Sequence, residues 1–215
     1  TVLESDEVII SEIMPKELKA LDTLVVKEGK FSLDYTFTKP TFLLLEFKTG
    51  IRLPILIAPG EKINLVVNDT NEYGTFTATG SASVQRMAQQ RDWFAASLNF
   101  RDSLEYLNYI YEDSTNLLAE RSKWNRDFVA QIDNHRQKLK AMIDADSTDL
   151  SNIMVFYQSL GDLELFSFEE DFEYYRKVDN GLQAAFPQNE HSIYFHDQLA
   201  KYKAAIARQQ TVQSA

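Results

Sequence analysis

Apolar and polar residues alternate along most of the first 80 positions of the chain. A period of two over residues 31–38 predicts a strand with one buried face, and residues 51–57 and 63–67 repeat the pattern. Residues 42–45 are apolar at every position, which is typical of a central strand covered on both faces. Pro54 has no N–H to donate to a ladder, so it predicts an edge strand or a bulge.

Turn residues separate these predicted strands at short intervals. Glu28 and Gly29 precede the strand predicted at 31–38. Pro59 and Gly60 stand where a type II turn requires them, because glycine adopts positive φ without strain. Short strands joined by such turns predict an antiparallel β-sandwich domain over residues 1–80.

The period of the pattern changes after Gly80. From Val84 onward apolar residues recur every three or four positions, which predicts an amphipathic helix that continues to about Tyr111. Ser81 or Ser83 is a suitable N-cap for this helix, because a serine hydroxyl can accept a hydrogen bond from a free backbone N–H. The organisation of the chain therefore changes near residue 80.

Further helices are predicted to fill the rest of the chain, five or six in all and without a strand. A long helix around Trp124 ends near 144–146. A shorter helix runs from Asp149 or Ser151 through Leu160 and is closed by Gly161. Two more helices follow, one over 168–185 and one capped by Asn189 that runs from His191 to about Arg208. The predicted fold class is α+β, with a β-sandwich domain over residues 1–80 followed by an all-helical bundle domain over residues 81–215.

Charge and composition exclude several classes of function. The net charge of −10 comes from 22 basic and 32 acidic residues spread along the chain, a poor match for nucleic acid or anionic membranes. The absence of cysteine excludes disulfides, thiol catalysis and cysteine-ligated metals. No apolar run approaches the roughly 20 residues that a transmembrane helix needs.

Residues that could carry catalysis or bind a metal are scattered. His191 and His196 are five positions apart, off the spacing that places two ligands on one helix face, and we expect these two and His135 at the surface or at helix caps. The acidic run at 169–173 is expected to be a solvated helix N-terminus. Residues 144–149 lack the glycine of a calcium loop, and no nucleophile elbow or phosphate loop occurs. The sequence predicts no catalytic residue, cofactor or metal site.

Aromatic residues offer one candidate binding surface. They concentrate in the first predicted helices, where Tyr109 and Tyr111 cannot both face a single core stripe. Because a surplus of exposed Tyr and Trp is typical of a partner surface, we predict such a surface at Trp93, Tyr109, Tyr111 and Trp124. Ordinary packing between the two parts of the chain is the alternative explanation.

Four stretches carry a resemblance to a known family: residues 28–31, Pro40 before the apolar strand at 42–45, residues 58–61, and residues 79–81 before a helix. In this order they resemble the N-terminal domain of unknown function that precedes thioredoxin-like domains in envelope proteins of Gram-negative bacteria. The resemblance implies a small β-sandwich, a helical segment and then a thiol–disulfide oxidoreductase domain. The redox chemistry of that family belongs to a C-x-x-C motif, and this chain has no cysteine, so no catalytic residue carries over.

Together these expectations describe a non-catalytic accessory region that positions a C-terminal thioredoxin-like domain or engages an envelope protein. The first alternative is a free-standing envelope lipoprotein that binds a ligand or a protein. The second, a cysteine-free hydrolase, rests only on scattered carboxylates. The resemblance implies a periplasmic or outer-envelope location, with a signal peptide and a lipid anchor expected upstream of Thr1.

Overall fold

The computed structural model describes residues 6–69 and 72–213. The predicted α+β class is confirmed, with strands in the first part and mostly helices in the second. The strands of the first part are β1 (Glu7–Ile13), β2 (Leu18–Val25), β3 (Thr41–Phe47), β4 (Arg52–Ile57), β5 (Asn64–Asn68) and β6 (Thr75–Thr79). The helices are α1 (Ala82–Ile110), α2 (Leu117–Ala145), a 3-10 helix (Leu150–Tyr157), α3 (Phe168–Ala185) and α4 (Glu190–Gln213).

Four strands form an antiparallel sheet in the order β2-β1-β3-β4, and β5 pairs with β6 in a separate two-stranded sheet. Residues 42–45 of the interior strand β3 are all buried, which confirms the prediction of a strand covered on both faces. Pro54 lies in the edge strand β4 opposite Leu44, as predicted, because no further strand needs the N–H that proline lacks.

Residues 31–38 do not form the predicted strand. The chain turns at Glu28 and Gly29, whose φ angles are both positive at 53° and 70°. The segment after the turn lies without a ladder partner among the described residues. The alternation matches burial only in part: Phe31, Leu33 and Phe37 are half-buried, with the ring of Phe31 edge-on to Phe47 at 6.1 Å between the centroids, whereas Tyr35 is exposed.

The predicted starts of the helices follow local capping interactions. The Ser81 hydroxyl accepts a hydrogen bond from the Val84 N–H at 3.4 Å at the start of α1. The Asn189 side chain accepts one from the His191 N–H at 3.0 Å at the start of α4, which continues to Gln213, past its predicted end. These caps satisfy backbone donors that the first helical turn leaves free.

The segment between α2 and α3 differs from the prediction. The helix capped by Asp149 is a 3-10 helix and ends at Tyr157 instead of Leu160. Two short strands, β7 (Ser159–Leu160) and β8 (Leu163–Glu164), then pair as a hairpin. Gly161 adopts φ +68° in the turn of this hairpin, so it does not close a helix, and the second part of the chain is not free of strands.

One cluster of buried apolar side chains extends through both parts of the chain. α1 packs on β4 and β6. Arg86 on α1 connects this helix to α2 and to the 3-10 helix. Its Nη2 donates to the Asn152 side chain at 2.7 Å and to the Met142 carbonyl at 3.1 Å. The division of the chain into two domains, residues 1–80 and 81–215, stays a prediction.

Gly80 provides a test of how tightly the turn before α1 is packed. It has φ +92°, and a Cβ there would collide with the carbonyl oxygen of Lys62. We expect Gly80→Ala to lower the free energy of unfolding by roughly 2–5 kcal/mol, measured by urea denaturation, because left-handed strain and a backbone clash add. Gly50→Ala is the matched control, since φ is +89° but the surrounding space is open. Equal losses in the two variants would contradict the role of the Lys62 contact.

Candidate functional site

The far end of the α1–α2 hairpin projects from the body of the protein. The two helices pack side by side and are joined by residues 111–116. Buried residues in α1 end at Leu98 and those in α2 begin at Trp124, and no residue from 99 to 123 is buried. At the helical rise, α1 extends about 18 Å beyond Leu98. We call residues 102–120 the hairpin tip.

The hairpin tip exposes large apolar side chains. Tyr106, Tyr109 and Leu118 are 64, 74 and 80% exposed, and Ile110 and Tyr111 are also exposed. These are five of the fourteen large apolar side chains that are exposed in the described part of the chain. Such a concentration within one short segment is typical of a surface that contacts a partner.

Contacts between the helices support the hairpin tip from beneath. The ring of Tyr111 meets the ring of Trp124 edge to face, with 5.7 Å between the centroids. Arg121 Nε donates to Asn108 Oδ1 at 2.7 Å across the hairpin. A groove of about 470 Å³ lies between the two helices and includes Leu104 among its walls. The exposed rings therefore stand on an ordered support.

The four aromatic residues predicted as a partner surface have different environments. Tyr109 and Tyr111 are exposed on the hairpin tip, whereas Trp124 is 7% exposed beneath Tyr111. Trp93 is half-buried about 24 Å away along α1, where the Lys138 ammonium lies over its ring at 5.9 Å. The structure thus groups Tyr109, Tyr111 and Trp124 but not Trp93, and the partner surface itself stays a prediction.

Sequence reasoning did not single out three members of the exposed set, Tyr106, Ile110 and Leu118. Tyr106, Tyr109 and Ile110 have the i, i+3, i+4 spacing that places side chains on one face of a helix. That spacing could equally indicate a core stripe. The distinction depends on whether another element covers the face, which the local pattern does not contain.

The hairpin tip is also acidic. Residues 102–120 contain five Asp and Glu and no Lys or Arg. Arg101 just before the tip pairs with Asp102 at 2.8 Å and with Glu105 at 3.6 Å. Glu112 and Asp113 are exposed and form no ion pair with any described residue. Apolar side chains and uncompensated negative charge therefore share one end of the molecule.

A second feature is a cavity of about 830 Å³ between the four-stranded sheet and the β5–β6 sheet. Leu43 and Ile55 line it from the four-stranded sheet, and Leu65 lines it from β5. Residues 31–37 form a further wall, and within the described residues their main chain makes no backbone hydrogen bond. The volume lies within the range of small-molecule binding sites.

The three histidines lie in separate environments. His135 is 1% exposed with Nδ1 3.0 Å from Ser97 Oγ, so the expected surface or capping position is wrong for this residue. The expectation is also wrong for His191, which is buried and whose Nε2 donates to the Ile13 carbonyl of β1 at 2.8 Å. His196 is at the surface, as predicted, 3.0 Å from a carboxylate oxygen of Asp179. Within residues 6–69 and 72–213 no group of three or more His, Cys, Asp or Glu could hold a metal.

The acidic run at the start of α3 is only partly solvated. Glu169 and Glu170 are exposed in the first helical turn, as predicted, but the side chain of Asp171 is completely buried. Arg136 Nη2 and Lys140 Nζ lie 2.9 and 2.8 Å from Asp171 Oδ1. Paired cations offset the desolvation of this carboxylate, and the cluster joins α2 to α3.

The fold and the surfaces define an α+β protein with a β-rich first part, a projecting helical hairpin and a cavity between its sheets. A family model described as Domain of unknown function (DUF4369) matches residues 2–87. The match covers β1 to β6 and the first residues of α1. No curated protein and no solved structure matches the chain. None of the described helices is both long and apolar enough to span a membrane.

Burial of His135 predicts a pH dependence of stability. Desolvation, followed by the charge of Lys138, lowers the pKa of His135 from 6.5 to about 4. His135 binds a proton less readily in the folded state than in the unfolded chain. The free energy of unfolding is therefore fully retained above about pH 6.5 and decreases as the pH falls towards 4. In the parent protein we expect this effect to lower the free energy of unfolding by about 3 kcal/mol between these pH values, measured by urea denaturation. The variant His135→Gln should not show this decrease.

The control for this prediction is His196→Gln, because His196 is exposed. This variant should retain most of the loss of stability at low pH. If His135→Gln and the parent protein showed the same pH dependence, burial of the neutral imidazole would not be its cause.

Proposed function

We propose that this chain is a non-catalytic accessory region that engages a protein partner in the bacterial cell envelope. The hairpin tip is the observation that carries the proposal. None of its residues is buried, yet they include three tyrosines and a leucine that are open to solvent. Exposed aromatic residues on an ordered support favour binding over a purely structural role.

We further propose that the partner is a thioredoxin-like thiol–disulfide oxidoreductase domain of the same protein, which this chain would position. The family match over residues 2–87 supports the β part of this proposal. The four turn and strand stretches at 28–31, 40–45, 58–61 and 79–81 support the link to a redox neighbour by resemblance. In this arrangement the chain supplies the contact surface, and the neighbouring domain supplies the cysteines.

The first test reads the gene beyond the codon for Ala215 and then maps contacts in the full-length protein. We expect a thioredoxin-like sequence with C-x-x-C to follow. A photo-crosslinking residue at position 109 should attach to that domain, with the attachment point identified by mass spectrometry, because Tyr109 is 74% exposed on the hairpin tip. The matched control is the same residue at position 157, since Tyr157 is 61% exposed outside the hairpin tip.

The two parts of this test fail separately. Absence of a thioredoxin-like sequence would remove the redox link. Equal crosslinking at positions 109 and 157 would contradict the hairpin tip as the contact surface.

The cavity between the two sheets favours a second candidate function, a free-standing envelope lipoprotein that binds an apolar ligand. Its walls combine apolar side chains with polar ones such as Asp34 and Lys62, and with the main chain of residues 31–37, which makes no backbone hydrogen bond to another described residue. Binding sites of small molecules commonly pair an apolar lining with a few polar groups that fix orientation.

An apolar fluorescent probe, anilinonaphthalene sulfonate, tests this second candidate. We expect it to bind the parent protein and to raise the unfolding temperature, because a ligand that binds only the folded state stabilises it. Ile57→Trp should weaken binding by filling the cavity, whereas Val25→Trp on the exposed side of β2 should not. Equal binding by both variants in a fluorescence titration would contradict a site in the cavity.

A further inference from the structure

We infer that the hairpin tip binds a basic segment of its protein partner, in which Lys or Arg side chains flank apolar anchors. This inference rests on the proposed function, since it names the chemistry of the partner at the surface proposed there. Two properties of the hairpin tip support this inference: its negative charge, and the exposed rings in the same segment. The charge also disfavours two other binding partners.

Negative charge is concentrated at the end of the hairpin. Arg101 already pairs with Asp102 and Glu105, and Lys and Arg resume only at Arg121, whose Nε donates to Asn108. Between them Glu112 and Asp113 are exposed without an ion-pair partner among the described residues. A partner with positive charge would supply the missing counter-charge and would be attracted before contact.

The acidic and apolar exposed side chains occur within the same short segment of the chain. Tyr106, Tyr109 and Ile110 form one helical stripe, and Glu105 precedes it on the same helix. Glu112 and Asp113 follow Tyr111 directly in the chain, and all three residues are exposed. A Lys or Arg of the partner could pair with a carboxylate while its cation lies over a tyrosine ring. Apolar anchors would cover Leu118 and Ile110.

The same charge disfavours two other occupants. A second copy of this chain would place two acidic tips against each other, and like charges across an interface weaken binding. An anionic membrane would repel the hairpin tip for the same reason. A basic protein segment is the occupant that satisfies both the exposed rings and the free carboxylates.

The test uses two synthetic amphipathic peptides, one of leucine and lysine and one of leucine and glutamate, with binding measured by fluorescence anisotropy. We expect the lysine peptide to bind and the glutamate peptide not to bind. The double variant Glu112→Lys, Asp113→Lys should weaken binding of the lysine peptide roughly tenfold at low salt, and added salt should reduce the difference.

A matched control separates local recognition from net charge. Asp162→Lys with Glu164→Lys changes the total charge by the same amount on the exposed β7–β8 hairpin, and it should weaken binding less than about twofold. Tyr109→Ser should also weaken binding, whereas Tyr157→Ser should not. Circular dichroism of each variant checks that the fold is retained.

Several outcomes would overturn the inference. Equal weakening by the two double charge variants would indicate attraction to net charge alone, and equal binding of the glutamate peptide would indicate apolar contact without charge selection. Dimerisation of the parent protein that Tyr109→Ser abolishes, seen by analytical ultracentrifugation, would assign the surface to a second copy. If the peptides fail while crosslinking from position 109 to a partner persists, this inference falls and the proposed function stands.

Discussion

The burial of β3 on both faces is the constraint on which the rest of the structure depends. A strand that is apolar at 42–45 must be covered from two sides, and each side is covered by a different part of the chain. On one side the ring of Phe42 meets His191 of α4, with 4.9 Å between the centroids. On the other side Phe31 packs on Phe47, and β5 closes the layer incompletely, which leaves the cavity.

Covering the sheet also explains why the hairpin tip is left free. The near half of α1 is held between the strands and the rest of the helical part, where Arg86 donates to Asn152 and to the carbonyl of Met142. α1 and α2 have 29 residues each, and no residue from 99 to 123, in their far ends and the connection between them, is buried. These far ends present an acidic, aromatic surface away from the core, and we base the proposed function on that surface.

Local interactions made much of the fold predictable. Ser81 and Asn189 cap helices where their side chains reach a backbone N–H a few residues away. Gly60 takes φ +79° in the turn predicted for it, and Glu61 N donates to the Ala58 carbonyl at 3.2 Å across that turn. Each of these caps and turns depends on residues that are close together in the chain, so the local sequence is enough to predict it.

The sequence by itself predicted the strands β3, β4 and β5, the approximate limits of most helices, an edge or a bulge at Pro54, and the acidic and aromatic composition of the hairpin tip. The tertiary structure alone decided that residues 31–38 lack a ladder, that His135 and Asp171 are buried, and that Trp124 supports the tip while Tyr109 is exposed. The physical reason is that burial depends on which distant element covers a side chain. Arg136 and Lys140 neutralise Asp171 from another helix, a contact that no local pattern specifies.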